Sequence, residues 1–256
     1  MKLNENQLKM IAVVTMAVDH IGYFLFPQVR ILRWIGRLAF PIFAYFIAEG
    51  CYYTRNIWRY LLQVGGLGLI CMAVTAAFDG SIYGNILITF ALSILIVGLM
   101  KIHPLIGIAC CAPVLWLCRQ IEIDYSLTGI LIPVGCWAAL EVVRLLREEE
   151  EAEKRGEDAA GGKPQRTADR DCREEGIRKR PCTPDERARL AELCVMAAGL
   201  LILAYQLEPY QWMGLFTLPL LYLYNGRRGE KNLKWFFYLF YPLHIAVIQV
   251  IAMTML

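Results

Sequence analysis

Apolar and charged residues occupy separate parts of this sequence, and that segregation limits the folds open to it. Of the 256 residues, 57% are hydrophobic, and the stretch 148–187 alone holds 13 of the 23 acidic and 10 of the 26 basic residues. A soluble domain carries roughly 25% charged residues spread along its length. The pattern predicts an all-α polytopic membrane protein with one hydrophilic insertion. It excludes a soluble enzyme, a nucleic-acid-binding protein and a secreted disulfide scaffold.

Nine apolar segments predict a transmembrane helix bundle. A hydrocarbon core about 30 Å thick needs roughly 20 residues of α-helix. We expect about six helices in a first part, 1–147, and about three in a last part, 188–256, which pack together as one domain. The fourth and fifth segments are separated by two residues only, which predicts a tight helical hairpin. The segments are 8–27, 31–52, 60–78, 86–101, 104–119, 127–146, 188–206, 211–225 and 235–255.

The distribution of lysine and arginine between the loops predicts the orientation of the bundle. Cytoplasmic loops carry an excess of these residues. With a cytoplasmic amino terminus and alternating crossings, twelve basic residues fall in inner loops and three in outer loops, which predicts an N-in, C-out arrangement. The outer three are Arg30, Arg33 and Arg119. The inner twelve are Lys2, Lys9, Arg55, Arg59, Lys101, Arg144, Arg147, Arg189, Arg227, Arg228, Lys231 and Lys234.

The charged stretch 148–187 has Ile177 as almost its only large apolar residue. A segment of this composition buries too little apolar surface to fold alone. We expect a disordered cytoplasmic linker between the two parts of the bundle.

Asp19, His20 and Arg37 are the polar residues that most clearly call for a role within the spans. A charge near the centre of a bilayer costs at least about 2.5–3.5 kcal/mol, so a charged residue there is expected to have a charged partner or a functional role. Arg37 lies roughly 10 Å into the second segment at 1.5 Å per residue, which matches the depth of Asp19 and His20. We expect Asp19 to pair with Arg37 and His20 to face a cavity. The alternative is a buried ion pair with a hydrogen-bonded histidine and no chemistry.

Polar residues continue along the second segment and appear in two later regions. Pro41, Tyr45 and Glu49 follow Arg37 at steps of four residues, which predicts a polar stripe. That stripe either lines a channel or belongs to a kinked interface helix with Glu49 paired to Arg55 or Arg59. Two histidines at membrane depth without thiolate or carboxylate ligands at fixed spacing are a weak metal signal, so we expect no metal. The further polar candidates are Asn85, Thr89, Tyr241 and His244.

Five stretches carry a resemblance to a known family. They are LKMIAVVTMAVDHIGYFLF at 8–26, LRWIGRLAFPIFAYFIAEGCYYTRN at 32–56, NILITFALSILIVGL at 85–99, LPLLYLYNGRRG at 218–229 and WFFYLFYPLHIAVI at 235–248. The sequence resembles the TraX family of bacterial integral membrane proteins, named for the F-pilin amino-terminal acetylase. The resemblance implies a bacterial cytoplasmic (inner) membrane location and covers most of the chain outside the charged stretch, which is a departure from it.

The resemblance also implies a relation to transmembrane acyltransferases, which take an acyl group from cytoplasmic acyl-coenzyme A. These enzymes use an intramembrane histidine in an early helix with arginines nearby. Carried onto this chain, His20 is the general base, Asp19 positions it or neutralises Arg37, and Arg37 or Asn85 stabilises the oxyanion or the coenzyme. Acetyl-CoA is the expected co-substrate. The candidate binding residues are Tyr23, Tyr45, Glu49, Thr54, Arg55, Asn85, Thr89, Arg227, Tyr241 and His244.

The acceptor and two rival functions stay open at this point. A peptide amine, a sugar hydroxyl and a glycolipid are all acceptors that such chemistry serves. One rival is a proton-coupled transporter with Asp19, His20, Glu49 and His244 as its relay. The other is a non-catalytic membrane scaffold. The enzyme differs from both because it predicts a cytoplasmic coenzyme pocket near Arg55, Arg59, Arg227 and Arg228.

Overall fold

The computed structural model describes residues 2–79, 84–120, 123–161, 186–207, 209–227, 229 and 233–255. The described part is helical, without a sheet, which confirms the predicted fold class. Its helices are α1 (Glu5–Phe24), α2 (Arg30–Gly36), α3 (Ala39–Tyr53), α4 (Ile57–Asp79), α5 (Ile86–Ile102), α6 (Pro104–Gln120), α7 (Ser126–Gly161), α8 (Glu186–Gln206), a 3-10 helix (Pro209–Phe216), α9 (Thr217–Tyr222) and α10 (Lys234–Met255).

Five of the described helical segments are long and apolar enough to cross a membrane. They are 30–53, 57–78, 127–154, 186–206 and 235–255. Helix α1 is 20 residues long, and its polar residues, Asp19 and His20 among them, keep its mean hydropathy low. Helices α5 and α6 are shorter and apolar, and they meet at His103, whose backbone N–H caps α5 by donating to Leu99 O. This confirms the predicted hairpin.

Two predicted spans differ from the observed helices. The segment predicted at 31–52 is divided into α2 and α3 by a short turn at Arg37 and Leu38. The segment predicted at 211–225 is a 3-10 helix followed by the six-residue helix α9. A 3-10 helix rises about 2.0 Å per residue with poorer hydrogen bonds. The eighth segment is therefore not one regular transmembrane helix.

Helix α7 continues beyond its apolar part to Gly161, into the stretch that the composition predicts to be disordered. Glutamate, alanine and lysine favour helix, and charged pairs one turn apart add to it. Arg144 bonds Glu141 at 2.7 Å and Glu148 at 3.3 Å. Glu150 pairs with Arg187 of α8 at 2.9 Å. The remainder of the predicted linker, 162–185, lies outside the described residues, as does its predicted disorder.

Helix α3 lies at the centre of the bundle, and most of the other helices pack against it. Eleven of its residues are buried, and it contacts α1, α5, α7, α8 and α9. Helices α7 and α8 pack against each other on one side of it. Helix α10 packs against α1 and α4. The end of the chain therefore returns to the first helix, which brings residues more than 220 positions apart into contact.

Candidate functional site

Asp19 binds two arginines. Arg37 Nη2 donates to Asp19 Oδ1 at 2.7 Å and to Oδ2 at 2.9 Å. Arg33 Nη1 donates to Asp19 Oδ2 at 2.8 Å. The predicted contact between Asp19 and Arg37 is therefore present, and Arg33, which the sequence suggested only as an outer-loop residue, is a second partner. Two guanidinium groups on one carboxylate leave this Asp19 cluster (Asp19, Arg33 and Arg37) with an excess positive charge.

The close approach of α1 and α2 at Gly36 makes the Asp19 cluster possible. A Cβ placed on Gly36 would overlap the side chain of Asp19. Helix α2 ends at Gly36, and Arg37 follows as its C-cap, so Arg33 in the last turn of α2 and Arg37 just after it both reach the same carboxylate.

We expect Gly36→Ala to destabilise the protein by about 1–3 kcal/mol, because the added methyl group has no space and must push α2 away from α1. Gly66→Ala is the matched control, since a Cβ at Gly66 meets nothing within 4 Å. Alanine there favours the helix by roughly 0.5–1 kcal/mol. Unfolding of both variants in one detergent, followed by helical circular dichroism, checks this. Equal stability of the two variants would contradict the close approach.

Aromatic rings surround the two arginines. The Arg33 guanidinium lies 5.0 Å from the centre of the Tyr23 ring, and the Arg37 guanidinium lies 5.7 Å from the centres of the Tyr125 and Tyr210 rings. Arg37 Nη1 also donates to Tyr125 Oη at 3.1 Å. These contacts hold the guanidinium groups in place through cation–π attraction.

Tyr125 is held in an uncommon backbone conformation. Its φ is 60°, in the left-handed region that bulky residues rarely adopt. Thr89 Oγ1 donates to the carbonyl of the preceding residue, Asp124, at 2.8 Å, and the ring stacks on Phe40 at 4.1 Å between centres. Burial raises the pKa of Tyr125 to about 12, so the phenol keeps its proton at neutral pH. No pattern in the sequence indicated a role for this residue.

His20 and His244 bind each other. His20 Nδ1 lies 2.7 Å from His244 Nε2, and the two rings lie edge to edge, with 16° between their planes and their centres 4.9 Å apart. His244 Nδ1 lies 2.8 Å from Phe240 O. A carbonyl oxygen only accepts, so His244 Nδ1 carries the hydrogen, and in the neutral ring His244 Nε2 is then an acceptor. His20 must therefore donate from Nδ1, which leaves His20 Nε2 unprotonated.

A cavity of about 720 Å³ lies between α1, α3, α4, α5 and α10. One end is lined by Glu5, Thr54 and Gly229, which lie at or beside helix ends. The lining deeper in the bundle is mostly apolar and includes Met16 and Tyr241. Ligand pockets have volumes of about 300–1,000 Å³ and are mostly apolar with a few polar groups. The size and the lining therefore suit an organic ligand.

The deep end of this cavity comes close to the histidine pair. Met16 precedes His20 by one turn of α1, and Tyr241 precedes His244 by nearly one turn of α10. One turn of α-helix rises about 5.4 Å. The Tyr241 ring also makes an edge contact with the His244 ring, with centres 5.6 Å apart. The two side chains thus lie between the cavity and the pair.

Four predicted binding residues make contacts within the protein. Asn85 caps α5 by accepting from Leu87 N at 3.0 Å and donates to Gly68 O at 2.9 Å. Thr89 holds the loop before Tyr125. Tyr45 and Glu49 lie apart from the histidines in a second buried cluster, where Glu49 accepts from the Tyr224 hydroxyl at 3.3 Å. The partners of Glu49 suggested by the sequence, Arg55 and Arg59, are both exposed.

The predicted coenzyme residues divide in the same way. Thr54 and Tyr241 line the cavity, whereas the lining does not include Arg55, Arg59 or Arg227. The backbone carbonyl of Arg227 accepts from Glu5 N at 3.0 Å, which places this loop beside the shallow end of the cavity. Arg228 lies outside the described residues.

Comparison with known proteins gives the family. The model of the family described as "TraX protein" matches residues 4–150, more than half of the chain. The chain belongs to the TraX family. The matched part contains the TraX residues Asp19, His20, Arg33, Arg37 and Tyr125, and His244 lies beyond it.

Two curated proteins resemble parts of this TraX chain. An uncharacterized protein of Rickettsia prowazekii (strain Madrid E) is 44% identical over 48 residues, which are 19% of each chain. A probable fimbrial assembly protein, FimC of serogroup H1, from Dichelobacter nodosus is 31% identical over 105 residues, which are 35% of this chain and 43% of that protein. The chain thus aligns with less than half the length of either relative. No solved structure matches it.

Proposed function

We propose that this chain is an integral membrane acyltransferase that moves an acetyl group from cytoplasmic acetyl-CoA to an amine or hydroxyl acceptor at or across the membrane. The observation that carries the proposal is the orientation of His20. Its Nδ1 is bound to His244 at 2.7 Å, and its Nε2 is therefore the nitrogen that carries the lone pair. A general base needs such a nitrogen within hydrogen-bond reach of the proton that it removes.

The reaction follows from this orientation. The nitrogen or oxygen of the acceptor attacks the thioester carbonyl carbon while His20 Nε2 takes the acceptor's proton. The carbon–sulfur bond then breaks, the thiolate of coenzyme A leaves, and it receives the proton from His20. His244 holds the ring so that the protonated form gains a charge-assisted hydrogen bond. The products are the acylated acceptor and free coenzyme A.

Arg33 and Arg37 supply the positive charge that this reaction needs. Both bind Asp19, the residue next to His20 in α1, and together they exceed the single negative charge of Asp19. Fixed cations near the site where negative charge develops stabilise the transition state. The side chain of Asn85, the other candidate for this role, is engaged in capping α5. We therefore assign oxyanion stabilisation to the arginines.

The proposal puts the amino terminus, the shallow end of the cavity and the charged stretch in the cytoplasm of the bacterial inner membrane. The lysine and arginine bias between loops supports this orientation. Acetyl-CoA would then enter beside Thr54 and Gly229. His20 lies fifteen residues beyond the start of α1, about 22 Å along the helix, and so in the outer half of the membrane.

This depth suits an acceptor on the far side of the membrane. One relative bears the name of a probable fimbrial assembly protein, which supports the amine of an exported peptide chain as an acceptor. Sugar and glycolipid hydroxyl groups offer the same attacking atom and belong to the same proposal.

The contacts favour an enzyme over a proton relay. Asp19 contacts the two arginines, His20 and His244 contact each other, and Glu49 contacts Tyr224. The four groups of the supposed relay thus belong to three separate clusters. A non-catalytic scaffold does not require a histidine with a fixed orientation close to a cavity, whereas the enzyme does.

Binding of acetyl-CoA to the purified protein tests the proposal. We expect saturable binding by the wild type, and at least about tenfold weaker binding by Val64→Trp, because Val64 lines the cavity and an indole there takes up part of the space that the ligand needs. Val142→Trp is the control, since Val142 is 54% exposed on α7 and outside the cavity lining. Absence of acyl-CoA binding by folded wild type would refute the proposal, and equal binding by both variants would refute the cavity as the site.

A further inference from the structure

A second cluster of titratable side chains lies where α8 meets α3. It consists of Tyr45 and Glu49 of α3, Glu192 of α8 and Tyr224, which follows α9. Glu192 is 1% exposed and Glu49 is 7% exposed. Tyr224 Oη donates to Glu49 Oε2 at 3.3 Å, and the Tyr45 side chain hydrogen-bonds the Glu192 carboxyl. Two carboxyl groups therefore lie inside the bundle, and each of them is hydrogen-bonded to a phenol.

One oxygen of this cluster lacks a partner. Glu192 Oε1 is fully buried and has no hydrogen bond to any residue that the structure describes. A buried acceptor without a donor costs about 1–3 kcal/mol, and more for a charged group. An unsatisfied carboxylate oxygen at such a position points to a ligand that supplies a hydrogen or a positive charge.

The nearest cation along α8, Arg189, is turned towards backbone carbonyl groups, and its buried Nε has no hydrogen-bond partner among the described residues. Arg189, one turn earlier on α8, donates from Nη1 to Tyr224 O at 3.0 Å and to Tyr222 O at 3.4 Å. From α7, the Cys136 thiol faces Glu192 and donates to its backbone oxygen at 3.7 Å. Among the described residues, the groups that act on the Glu192 carboxyl are Glu49, a like charge, and Tyr45.

Electrostatics requires that this pair be neutralised in part. Removing one ion from water into a protein interior costs several kcal/mol unless a partner compensates. Two negative charges at the same site repel each other as well, which favours the protonated form of one of them. A single proton removes one charge and at the same time gives the cluster a further donor.

We propose that Glu49 and Glu192 form a proton-binding pair that holds at least one proton at neutral pH. The pair joins α8 to the central helix α3, and α8 begins at the end of the charged stretch 148–187. It also lies next to the cavity wall, since Gly50 and Tyr60 line the cavity and Tyr60 interacts electrostatically with Glu49. Loss of the proton places two like charges between α3 and α8 and loosens that contact. This inference does not depend on the transferase activity.

Infrared spectroscopy of the full chain in detergent tests the proposal at neutral pH. A protonated carboxyl group absorbs apart from a carboxylate. We expect a carboxylic-acid band in the wild type that shifts when the glutamates are labelled with carbon-13, and that is lost in the double variant Glu49→Gln, Glu192→Gln. Glu141→Gln should keep the band, because Glu141 forms an ion pair with Arg144 at 2.7 Å. The labelling experiment needs no substitution and stands even if the double variant does not fold.

The pH dependence of stability gives a second readout. Above about pH 4.3, the ordinary pKa of glutamate, the unfolded chain releases this proton while the folded chain keeps it. The free energy of unfolding therefore falls as the pH rises. For one proton, the unfolding equilibrium constant of the wild type should rise about tenfold per pH unit relative to the double variant. Absence of a glutamic-acid band at neutral pH overturns the proposal. A dependence of the melting temperature on Na⁺ at fixed pH and ionic strength, present in the wild type and absent in the double variant, would also overturn the proposal. The pair would then bind a metal cation and not a proton.

Discussion

Replacement of His20 by alanine is expected to lower acetyl-CoA turnover by about 10²–10⁴-fold, the contribution of a positioned general base. Binding of acetyl-CoA should change little, since His20 is not among the cavity-lining residues. Release of coenzyme A by protein in lipid nanodiscs measures turnover, and calorimetry measures binding. His103→Ala is the matched control, because His103 is an exposed histidine in the turn between α5 and α6.

His244 should act through His20 and not on the substrate directly. His244→Ala removes the acceptor that fixes the His20 ring, so we expect a smaller loss of turnover and a shifted pH profile of kcat/KM. Combined with His20→Ala it should add almost nothing, since residues that act as a unit are strongly non-additive. Full turnover by His20→Ala, or equal losses in His20→Ala and His103→Ala, would show that His20 is not the base.

The contact between Asp19 and Arg37 could be predicted because it depends on local geometry. The two helices follow each other in sequence, a short loop joins them, and a rise of about 1.5 Å per residue places both side chains at one depth. The loop pattern assigns Arg33 to an outer loop and does not indicate it as a partner of Asp19. Arg33 lies in α2 four residues before Arg37, which places the two arginines on the same face, and both reach the same carboxylate.

The pairing of His20 with His244 could not be predicted from one sequence. Their separation of 224 positions spans nearly the whole chain, and hydropathy gives the number of helices but not which helices are neighbours. The sequence predicted that both residues lie at membrane depth, but it did not predict that they contact each other. The packing of α10 against α1 supplies the missing contact.

The burial of Glu192 could not be predicted from the sequence pattern. It lies in the apolar segment predicted at 188–206, close to the charged stretch, where a glutamate is ordinarily taken for part of a solvated helix end. Packing of α8 against α7 and α3 instead encloses it. Conversely, Arg55 and Arg59 fit the pattern of a coenzyme site by charge alone, but both are exposed and neither lines the cavity. Composition shows where charge lies along the chain, and packing decides which charges are enclosed.

Replacement of Asp19 by asparagine is expected to cost about 3–5 kcal/mol of stability, because it removes one partner of a buried ion pair and leaves uncompensated charge. The side chains of Asp19 and Arg37 are only 13% and 8% exposed, so water cannot take over the role of the carboxylate. Glu141→Gln is the control. It breaks a pair of the same length, 2.7 Å, with Arg144, whose side chain is 35% exposed, and it should cost only about 0–1 kcal/mol.

Unfolding of the two variants, measured in one detergent, separates two roles of Asp19. If Asp19→Asn is much less stable than Glu141→Gln, then Asp19 holds α1 against α2 and keeps the arginines beside His20. If the two variants are equally stable and turnover alone falls, the cluster is open to water and Asp19 acts only by moderating the charge near the base. The second result would contradict the buried Asp19 cluster, since a carboxylate bound to two desolvated guanidinium groups cannot be neutralised without a large loss of stability.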